Sequence, residues 1–251
     1  MPDLPSPSAP LADKAAERGN PSFVWRAGQE RRLAMVEAAA PLAGKVVVDA
    51  GCGIGAYMRS IRKRTPFTFG FDVEFERLAK GRRNGIAGMI AAVGECLPYA
   101  DNSVDVILSN EVLEHVDDDR ASAREIVRVL RPGGRAVIFA PNRLYFFETH
   151  GIYWRGQYRF GNKPFVNWLP DAARNRLAPH VRAYTARQMR SLFDGTPSRV
   201  VSHTQIYGGF DNLVRRLGGA GRALRAFWQA LERTPARVFG ISHVLVIEKS
   251  T

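Results

Sequence analysis

The chain has 251 residues, of which 45% are hydrophobic and 24% charged, a balance typical of a soluble globular protein with one sizeable domain. No apolar run could span a bilayer, the N-terminus lacks a signal-peptide core, and two cysteines cannot build a disulfide framework. These features exclude integral membrane and disulfide-rich secreted proteins and predict a cytoplasmic location. The net charge is +12, and residues 174–251 hold 13 Lys or Arg against 4 Asp or Glu. This excess fits either an anionic partner or an arginine-rich solvated surface.

The first half of the chain predicts an alternation of strands and helices. Residues 1–20 are rich in Pro, Ala and Ser and are expected to be disordered, and Val24 to Ala40 forms an amphipathic helix. Strands separated by helices imply right-handed crossovers and a parallel sheet. Strands are predicted near 45–49, 67–72, 88–93, 104–109 and 134–140, and helices near 56–64, 74–83 and 119–130.

Residues 142–182 break this alternation with many aromatic side chains among Gly, Pro and Arg. The segment follows the fifth strand, so we expect an insertion that covers the substrate, although core packing would explain part of its aromatic content. A helix at 185–194, a strand at 199–206, a basic amphipathic stretch at 211–232 and a strand at 243–248 follow. The aromatic residues of the insertion are Tyr145, Phe146, Phe147, Tyr153, Trp154, Tyr158, Phe160, Phe165 and Trp168.

The most informative motif begins in the first predicted strand. Three valines, 46–48, lead to Asp49, and Gly51, Gly53 and Gly55 follow at alternate positions. A Val-rich run suits a parallel strand covered on both faces, and the glycines allow a sharp turn close to a ligand. The motif therefore predicts a nucleotide-type cofactor at the carboxyl end of the sheet.

The same residues also fit a dinucleotide fingerprint. Gly51, Gly53 and Ala56 satisfy its G/A form, and Asp72 follows Gly51 by 21 residues, where a ribose-binding acid is expected. An NAD-type oxidoreductase therefore stays open at this point.

Three downstream motifs favour another cofactor. They are GECLPYADNSVDVIL at 94–108, SNEVLEHV at 109–116 and VLRPGGR at 129–135. With these motifs in this order, the chain resembles the class I S-adenosylmethionine-dependent methyltransferases from about Lys45 to Asn142. The resemblance implies an α/β, Rossmann-like, doubly wound sheet of seven mostly parallel strands, with the terminal strand antiparallel and the insertion after the fifth. It also implies one domain over 21–251, with a core at about 45–142, the insertion at about 143–182 and a basic C-terminal part at 183–251.

The resemblance further implies S-adenosyl-L-methionine as the cofactor. The glycine turn would hold its methionine and ribose portion, and Asp72 would bind both ribose hydroxyls, unless it serves as a helix cap. Many relatives have an Asp at the position of Val93 for the adenine amine, so Gly94 and Glu95 are carried over to that role. The cofactor residues implied are Asp49, Gly51, Cys52, Gly53, Asp72, Gly94, Glu95 and Asn110.

Glu111, Glu114 and His115 form an E-x-x-E-H cluster. On a helical turn these positions share one face. Glu111 and the imidazoles of His115, His150 and His180 are the catalytic candidates, because an imidazole titrates near neutrality and can act as a general base. Some relatives instead bind a divalent metal on this cluster. That alternative uses Glu111, Glu114, His115 and His180, with His150 as a second option for the distant histidine, and suits Mg²⁺, Mn²⁺ or Zn²⁺.

These observations favour transfer of a methyl group, by in-line displacement, to a small-molecule or lipid-like acceptor. The stretch 211–232, with Phe227 and Trp228 among arginines, adds peripheral contact with an anionic membrane as an option. RNA is an alternative acceptor on the basis of charge. An NAD-type oxidoreductase and a non-catalytic membrane-associated binding protein are alternatives from other classes.

Overall fold

A computed structural model describes residues 26–251. The segment predicted to be disordered and the start of the predicted helix 24–40 lie outside the described residues. Helix α1 (Ala27–Ala39) buries Leu33 and Val36 completely. The alternating region that follows comprises β1 (Val47–Ala50), α2 (Ala56–Ile61), β2 (Thr68–Asp72), α3 (Phe75–Arg83), β3 (Met89–Ala91), β4 (Val104–Asn110), α4 (Asp119–Val129) and β5 (Leu130–Pro141).

Strand β5 begins earlier than the predicted strand at 134–140. Leu130 already pairs with Val104, and the register then shifts so that Arg135 pairs with Val106. The intervening Arg-Pro-Gly-Gly forms a bulge, because proline has no N–H to donate to the sheet. The segment therefore ends α4, as predicted, and already belongs to the next strand.

The insertion contains short elements rather than a second domain. They are β6 (Phe147–Glu148), β7 (Ile152–Trp154), β8 (Gln157–Arg159), β9 (Lys163–Pro164), a 3₁₀ turn (Val166–Trp168) and α5 (Asp171–Leu177). Strand β6 pairs with β9, and β7 pairs with β8. After the insertion come α6 (Ala186–Ser191), β10 (Ser198–Ile206), α7 (Asp211–Ala230), 3₁₀ turns (Leu231–Arg233 and Pro235–Phe239) and β11 (Ser242–Lys249).

The central sheet has seven strands in the order β10-β11-β5-β4-β1-β2-β3. Strand β11 runs antiparallel to both of its neighbours, and the pairs from β5 to β3 are parallel. The predicted Rossmann-like α/β sheet with an antiparallel terminal strand is confirmed. Apolar clusters fill both faces, one including Leu33 and Ile61 and the other including Ile126 and Met189. Because the strand order reverses between β1 and β4, a ligand crevice is expected at their carboxyl ends.

Helix α7 covers most of the predicted amphipathic stretch but is broken at Gly218 (φ 55°, ψ −118°). Its buried residue is Gly221, while Leu217, Leu224 and Phe227 are exposed. The apolar side of this helix is therefore incompletely covered. Within residues 26–251, no helix combines the length and apolar character that crossing a membrane requires.

Candidate cofactor and active site

The glycine turn after β1 has the backbone conformation that its sequence predicts. Gly51, Gly53 and Gly55 all have positive φ angles (61°, 54° and 81°). A Cβ atom on Gly51 would lie 2.5 Å from a methyl of Val112, and one on Gly55 would lie 2.7 Å from a methyl of Ile86. Side chains are therefore excluded here by conformation and by space, and the turn brings β1 close to the segment after β4.

Asp72 ties this turn to the end of β2. One carboxylate oxygen accepts a hydrogen bond from the Gly53 N–H at 2.8 Å, and the other accepts one from the Glu74 N–H at 2.8 Å. The N-cap of α3 is Glu74, so Asp72 is not the cap residue itself. Each of its oxygens keeps further acceptor capacity, as the predicted role in ribose binding requires.

Asp49 is buried beside Asp72 at the end of β1. Burial and the negative charge of Asp72 raise the pKa of Asp49 to about 8, although the Met58 N–H donates to its carboxyl group. Among the described residues, no donor contacts its Oδ2 atom. Two neighbouring acids with unused acceptor capacity favour a ligand that brings positive charge or hydrogen-bond donors.

An open cleft runs from this turn along the carboxyl ends of the strands. It brings together seven predicted site residues, whereas Asp49, Cys52, Gly53, Asn110, Glu114 and His180 do not line it. Val73 and Val93 contribute an apolar wall and are 56% and 46% exposed. The lining residues are Gly51, Phe71, Asp72, Val73, Glu74, Arg77, Ala92, Val93, Gly94, Glu95, Glu111, Val112, His115, Val116, Asp117 and His150.

Glu95 has a different set of partners from the predicted contact with adenine. Its Oε1 atom accepts hydrogen bonds from the N–H groups of Asp117 and Asp118, at 2.7 and 3.0 Å. A Cβ atom on Gly94 would lie 2.6 Å from the Ser122 hydroxyl. Glu95 therefore holds the loop after β3 against the start of α4. Its role toward a cofactor stays a prediction.

Arg77 is a cleft residue that the sequence analysis did not identify. Its Nε donates to Glu74 at 2.7 Å, and its Nη2 is buried without an acceptor among the described residues. A donor of this kind could serve a bound ligand. No motif marks it, because it lies on α3, between the motifs that carry the family resemblance.

Glu111 begins a turn, not the predicted helical face. Its φ angle is +57°, and the His115 N–H donates to the Val112 carbonyl. Glu111 forms an ion pair with Arg32 of α1 at 2.9 Å and accepts a hydrogen bond from the Ser242 hydroxyl. Burial opposes ionisation, but the charges of Arg32 and His150 and the Ser242 hydrogen bond lower the pKa of Glu111 to about 2.

Arg32 also donates to the Asn110 Oδ1 atom at 2.6 Å. Arg32 therefore fixes the last residue of β4, Asn110, and the cleft residue that follows it, Glu111. The sequence analysis did not identify Arg32, since α1 precedes every motif and only the fold brings it to this site.

Glu114 is buried next to Glu111. Burial and the negative charge of Glu111 raise the pKa of Glu114 well above its usual value. In the described part of the chain, no donor contacts either of its carboxylate oxygens. The pair is therefore best described as a neutral acid, Glu114, beside an ionised carboxylate, Glu111.

The insertion places His150 against the cleft. Oε1 of Glu148 accepts hydrogen bonds from the His150 backbone N–H at 2.9 Å and from its ring Nδ1 at 3.1 Å. Because the carboxylate accepts, Nδ1 carries the proton and Nε2 is left as the basic nitrogen. Glu148 is held in turn by Arg174 at 2.8 Å, and both side chains are 2% exposed.

His115 and His150 face each other with ring centres 5.3 Å apart. Ligand atoms of Glu114, His115 and His150 all lie within 4.8 Å of one another, which makes them a potential metal-binding group. His180 is not in this group, because its ring packs against Tyr153 and Tyr158. Of the predicted metal set, this group contains Glu114 and His115 but not Glu111 or His180, and it includes His150, the second option of the sequence analysis. The metal site itself stays a prediction.

Comparisons with known proteins agree with this geometry. Residues 48–138 match the family model described as a methyltransferase domain. An uncharacterized methyltransferase of Mycobacterium sp. (strain KMS) is 38% identical over 96 residues, which are 38% of each chain. A demethylmenaquinone methyltransferase of Corynebacterium kroppenstedtii is 32% identical over 120 residues, 48% of this chain and 49% of that protein. The chain thus matches less than half the length of these curated relatives.

Among solved structures, the fold resembles an S-adenosylmethionine-dependent methyltransferase from Mesorhizobium loti, with a TM-score of 0.64 and 18% identity. This likeness covers 91% of the present chain and 100% of the other, and it concerns the fold. The sequence match, in contrast, covers the glycine turn and the strand ends that line the cleft, and it stops before the insertion that carries His150. Residues 48–138 therefore match a methyltransferase domain, and the fold around them is similar to that of an S-adenosylmethionine-dependent methyltransferase.

Proposed function

We propose that the protein transfers the methyl group of S-adenosylmethionine to a small-molecule or lipid-like acceptor. The observation that carries this proposal is the cleft, which joins the glycine turn and Asp72 at one end to the imidazoles of His115 and His150 at the other. Methyl transfer by in-line displacement depends mainly on alignment of the donor and acceptor atoms. Two different parts of the fold, the sheet edge and the insertion, would hold the two substrates.

The residues of the sheet edge fit the cofactor. Gly51 and Gly53 would approach its methionine portion, Asp72 would accept hydrogen bonds from the ribose, and Val73 and Val93 would contact the adenine ring. The unused acceptor of Asp49 supports a ligand with a cationic group. The bound cofactor would supply an electrophilic methyl group.

The imidazoles are proposed to act on the acceptor. In the neutral ring of His150, with Nδ1–H donated to Glu148, Nε2 could accept a proton from an acceptor hydroxyl. His115 lies beside it and could share this role. Similarity to a demethylmenaquinone methyltransferase supports a lipid-like acceptor.

The first test is the affinity for S-adenosylhomocysteine, measured by calorimetry. We expect the wild-type protein to bind and Asp72→Ala to bind at least about a hundredfold more weakly, since two hydrogen bonds to a charged acceptor are lost. Asp101→Ala, in an exposed turn away from the cleft, is the matched control. If Asp72→Ala binds S-adenosylhomocysteine as tightly as the wild type, Asp72 does not bind the ribose. Binding of NADH instead of S-adenosylhomocysteine by the wild type would overturn the proposed function.

A metal-assisted form of the reaction is the second candidate, supported by the grouping of Glu114, His115 and His150. Carboxylate and imidazole ligands together suit Mn²⁺ or Zn²⁺ as well as Mg²⁺. The Glu148–His150 hydrogen bond resembles the outer-shell partners that commonly orient metal-binding histidines. A metal held there would activate an acceptor hydroxyl next to the methyl donor.

Titration of the EDTA-treated protein with Mn²⁺ tests the metal site directly. If the site exists, we expect binding that falls about a hundredfold or more in Glu114→Gln and in His150→Ala, since removing a ligand should cost at least as much as removing an outer-shell partner. His180→Ala, which changes a histidine outside the group, should bind like the wild type. If His150→Ala binds Mn²⁺ as tightly as the wild type, or if the wild type does not bind Mn²⁺, the metal-assisted reaction is excluded. The histidines then keep only their proposed acid–base role.

A further inference from the structure

Four aromatic side chains form an exposed surface that the cleft does not use, and we call it the aromatic patch: Phe146, Phe165, Trp168 and Phe239. The Phe146 ring lies 4.7 Å from that of Trp168, 5.9 Å from that of Phe239 and 6.1 Å from that of Phe165. Trp168 contacts Phe165 and Phe239 in addition. Three separate chain segments thus contribute to one continuous apolar surface.

The patch stays exposed although its rings pack together. Phe165 is 55% exposed and Trp168 44%, and the other two rings are about as open. The Trp168 N–H donates to the Leu144 carbonyl, so its polar group is satisfied inside the protein. Exposed apolar patches of this kind usually mark interaction sites.

The backbone of Phe165 supports the same interpretation. Its φ angle is +60°, a left-handed conformation that is strained for a bulky residue. The ring nevertheless stays 55% exposed, in contact with Phe146 and Trp168 on one side only. Strain that holds an aromatic ring outward is better explained by a partner that receives the ring.

The patch lies at the carboxyl edge of the sheet, the edge that also carries the cleft. Phe146 follows β5 closely, and Phe239 precedes β11, whose Ser242 pairs with Pro141 of β5. The Asn142 side-chain amide donates to the carbonyls of Val238 and Gly240, at 2.7 Å each. This bond fixes the two segments together and gives the patch a rigid base.

The chain segments that carry the patch are basic. Residues 143–182 contain seven Lys or Arg and two Asp or Glu, and the buried pair of Arg174 and Glu148 cancels within this count. Arg233 and Arg237 are exposed in the 3₁₀ turns that end at Phe239. Helix α7, just before these turns, exposes Arg216 and Arg222 together with Leu217 and Phe227. Apolar rings carried on basic segments match the apolar and anionic layers of a membrane interface.

We propose that the aromatic patch docks on the surface of an anionic lipid bilayer, with its rings at the level of the headgroups and the neighbouring arginines on lipid phosphates. The protein would lie on the membrane and not cross it. This inference rests on the proposed function only in that docking would present the cleft to a lipid-like acceptor.

Sedimentation with lipid vesicles tests the inference on the full-length protein. We expect binding to vesicles that contain phosphatidylglycerol in phosphatidylcholine, much weaker binding to phosphatidylcholine alone, and a decrease as salt is raised. Phe165→Ser and Trp168→Ser should each weaken binding about tenfold. Each substitution removes an aromatic ring of which roughly half is exposed to water and would be buried in the bilayer on docking. Phe67→Ser is the matched control, since Phe67 is 51% exposed and precedes β2, at the opposite end of the sheet.

Three results would overturn the docking proposal, two from the vesicle experiment and one from ultracentrifugation. One is absence of vesicle binding by the wild type. The other is an equal loss in Phe67→Ser and Phe165→Ser. If instead the wild type dimerises in ultracentrifugation and Phe165→Ser does not, the patch is a self-association surface and the membrane proposal fails. Binding of S-adenosylhomocysteine should be unchanged in both patch variants. Failure of the docking proposal can therefore be distinguished from failure of the proposed cofactor binding.

Discussion

Asp49→Asn is expected to gain stability relative to the wild type as the pH rises. The same substitution is expected to weaken cofactor binding. The folded state of the wild type keeps the Asp49 proton up to a pKa of about 8, whereas the unfolded chain loses it near 3.8. Between these values the folded state binds more protons, so the free energy of unfolding falls as the pH rises. An amide does not titrate and escapes this loss.

The advantage of Asp49→Asn should grow by about 3–4 kcal/mol between pH 5 and pH 8, at about 1.4 kcal/mol for each pH unit. Urea unfolding at the two pH values measures the difference, and Asp101→Asn at the surface serves as the control. The raised pKa of Glu114 is common to the variant and the wild type and cancels. If the difference in the free energy of unfolding between Asp49→Asn and the wild type stays constant with pH, Asp49 is already ionised in the folded protein at pH 5.

The same variant separates stability from binding. If the acid is retained for a cationic cofactor group, Asp49→Asn should bind S-adenosylhomocysteine more weakly in spite of its greater stability. Tighter or equal binding would mean that Asp49 supports the turn without acting on the ligand. A buried carboxylate with an unused oxygen would then need another explanation.

The cofactor end of the cleft was predictable because its determinants are local. A valine strand, the positive φ angles of three glycines and an acid at the end of the next strand are all encoded within short segments. The order of these segments then determined the sheet topology through right-handed crossovers. The helix predicted near 119–130 agrees with α4, although the bulge that extends β5 was not predicted.

The acceptor end was less predictable because it depends on distant contacts. The E-x-x-E-H spacing predicts a shared helical face, but Arg32 and Ser242 hold Glu111 in a left-handed turn. Both partners lie far from Glu111 in the sequence. Similarly, spacing could not choose between His150 and His180. That choice depends on how Glu148 and Arg174 pack inside the insertion.

This buried pair leads to the largest expected loss of stability. Glu148→Leu should lower the free energy of unfolding by about 3–5 kcal/mol, because Arg174 would remain charged and buried without its carboxylate. The Arg174 guanidinium would retain only neutral partners, the Val181 carbonyl and the Asn167 side chain. Urea unfolding followed by tryptophan fluorescence measures the change.

Two variants show whether the effect comes from the unpaired charge. The double variant Glu148→Leu, Arg174→Met should recover most of the lost stability, since replacing both partners of a buried ion pair with apolar residues is often neutral or better. Asp171→Ala removes the 75% exposed partner of Arg143 and should change stability by less than about 1 kcal/mol. If the double variant is no more stable than Glu148→Leu, the loss of stability comes from altered packing and not from the unpaired charge of Arg174.

The double variant also isolates the function of Glu148 from its contribution to folding. With stability restored, His150 would still lack the carboxylate that keeps the proton on Nδ1 and the free electron pair on Nε2. We therefore expect the stabilised double variant to bind S-adenosylhomocysteine normally, since Glu148 lies outside the cleft lining. We expect methyl transfer, once an acceptor is available, to fall both in that variant and in His150→Ala. Full activity in the double variant would mean that the insertion positions His150 by packing alone, and that Glu148 is needed only to neutralise Arg174.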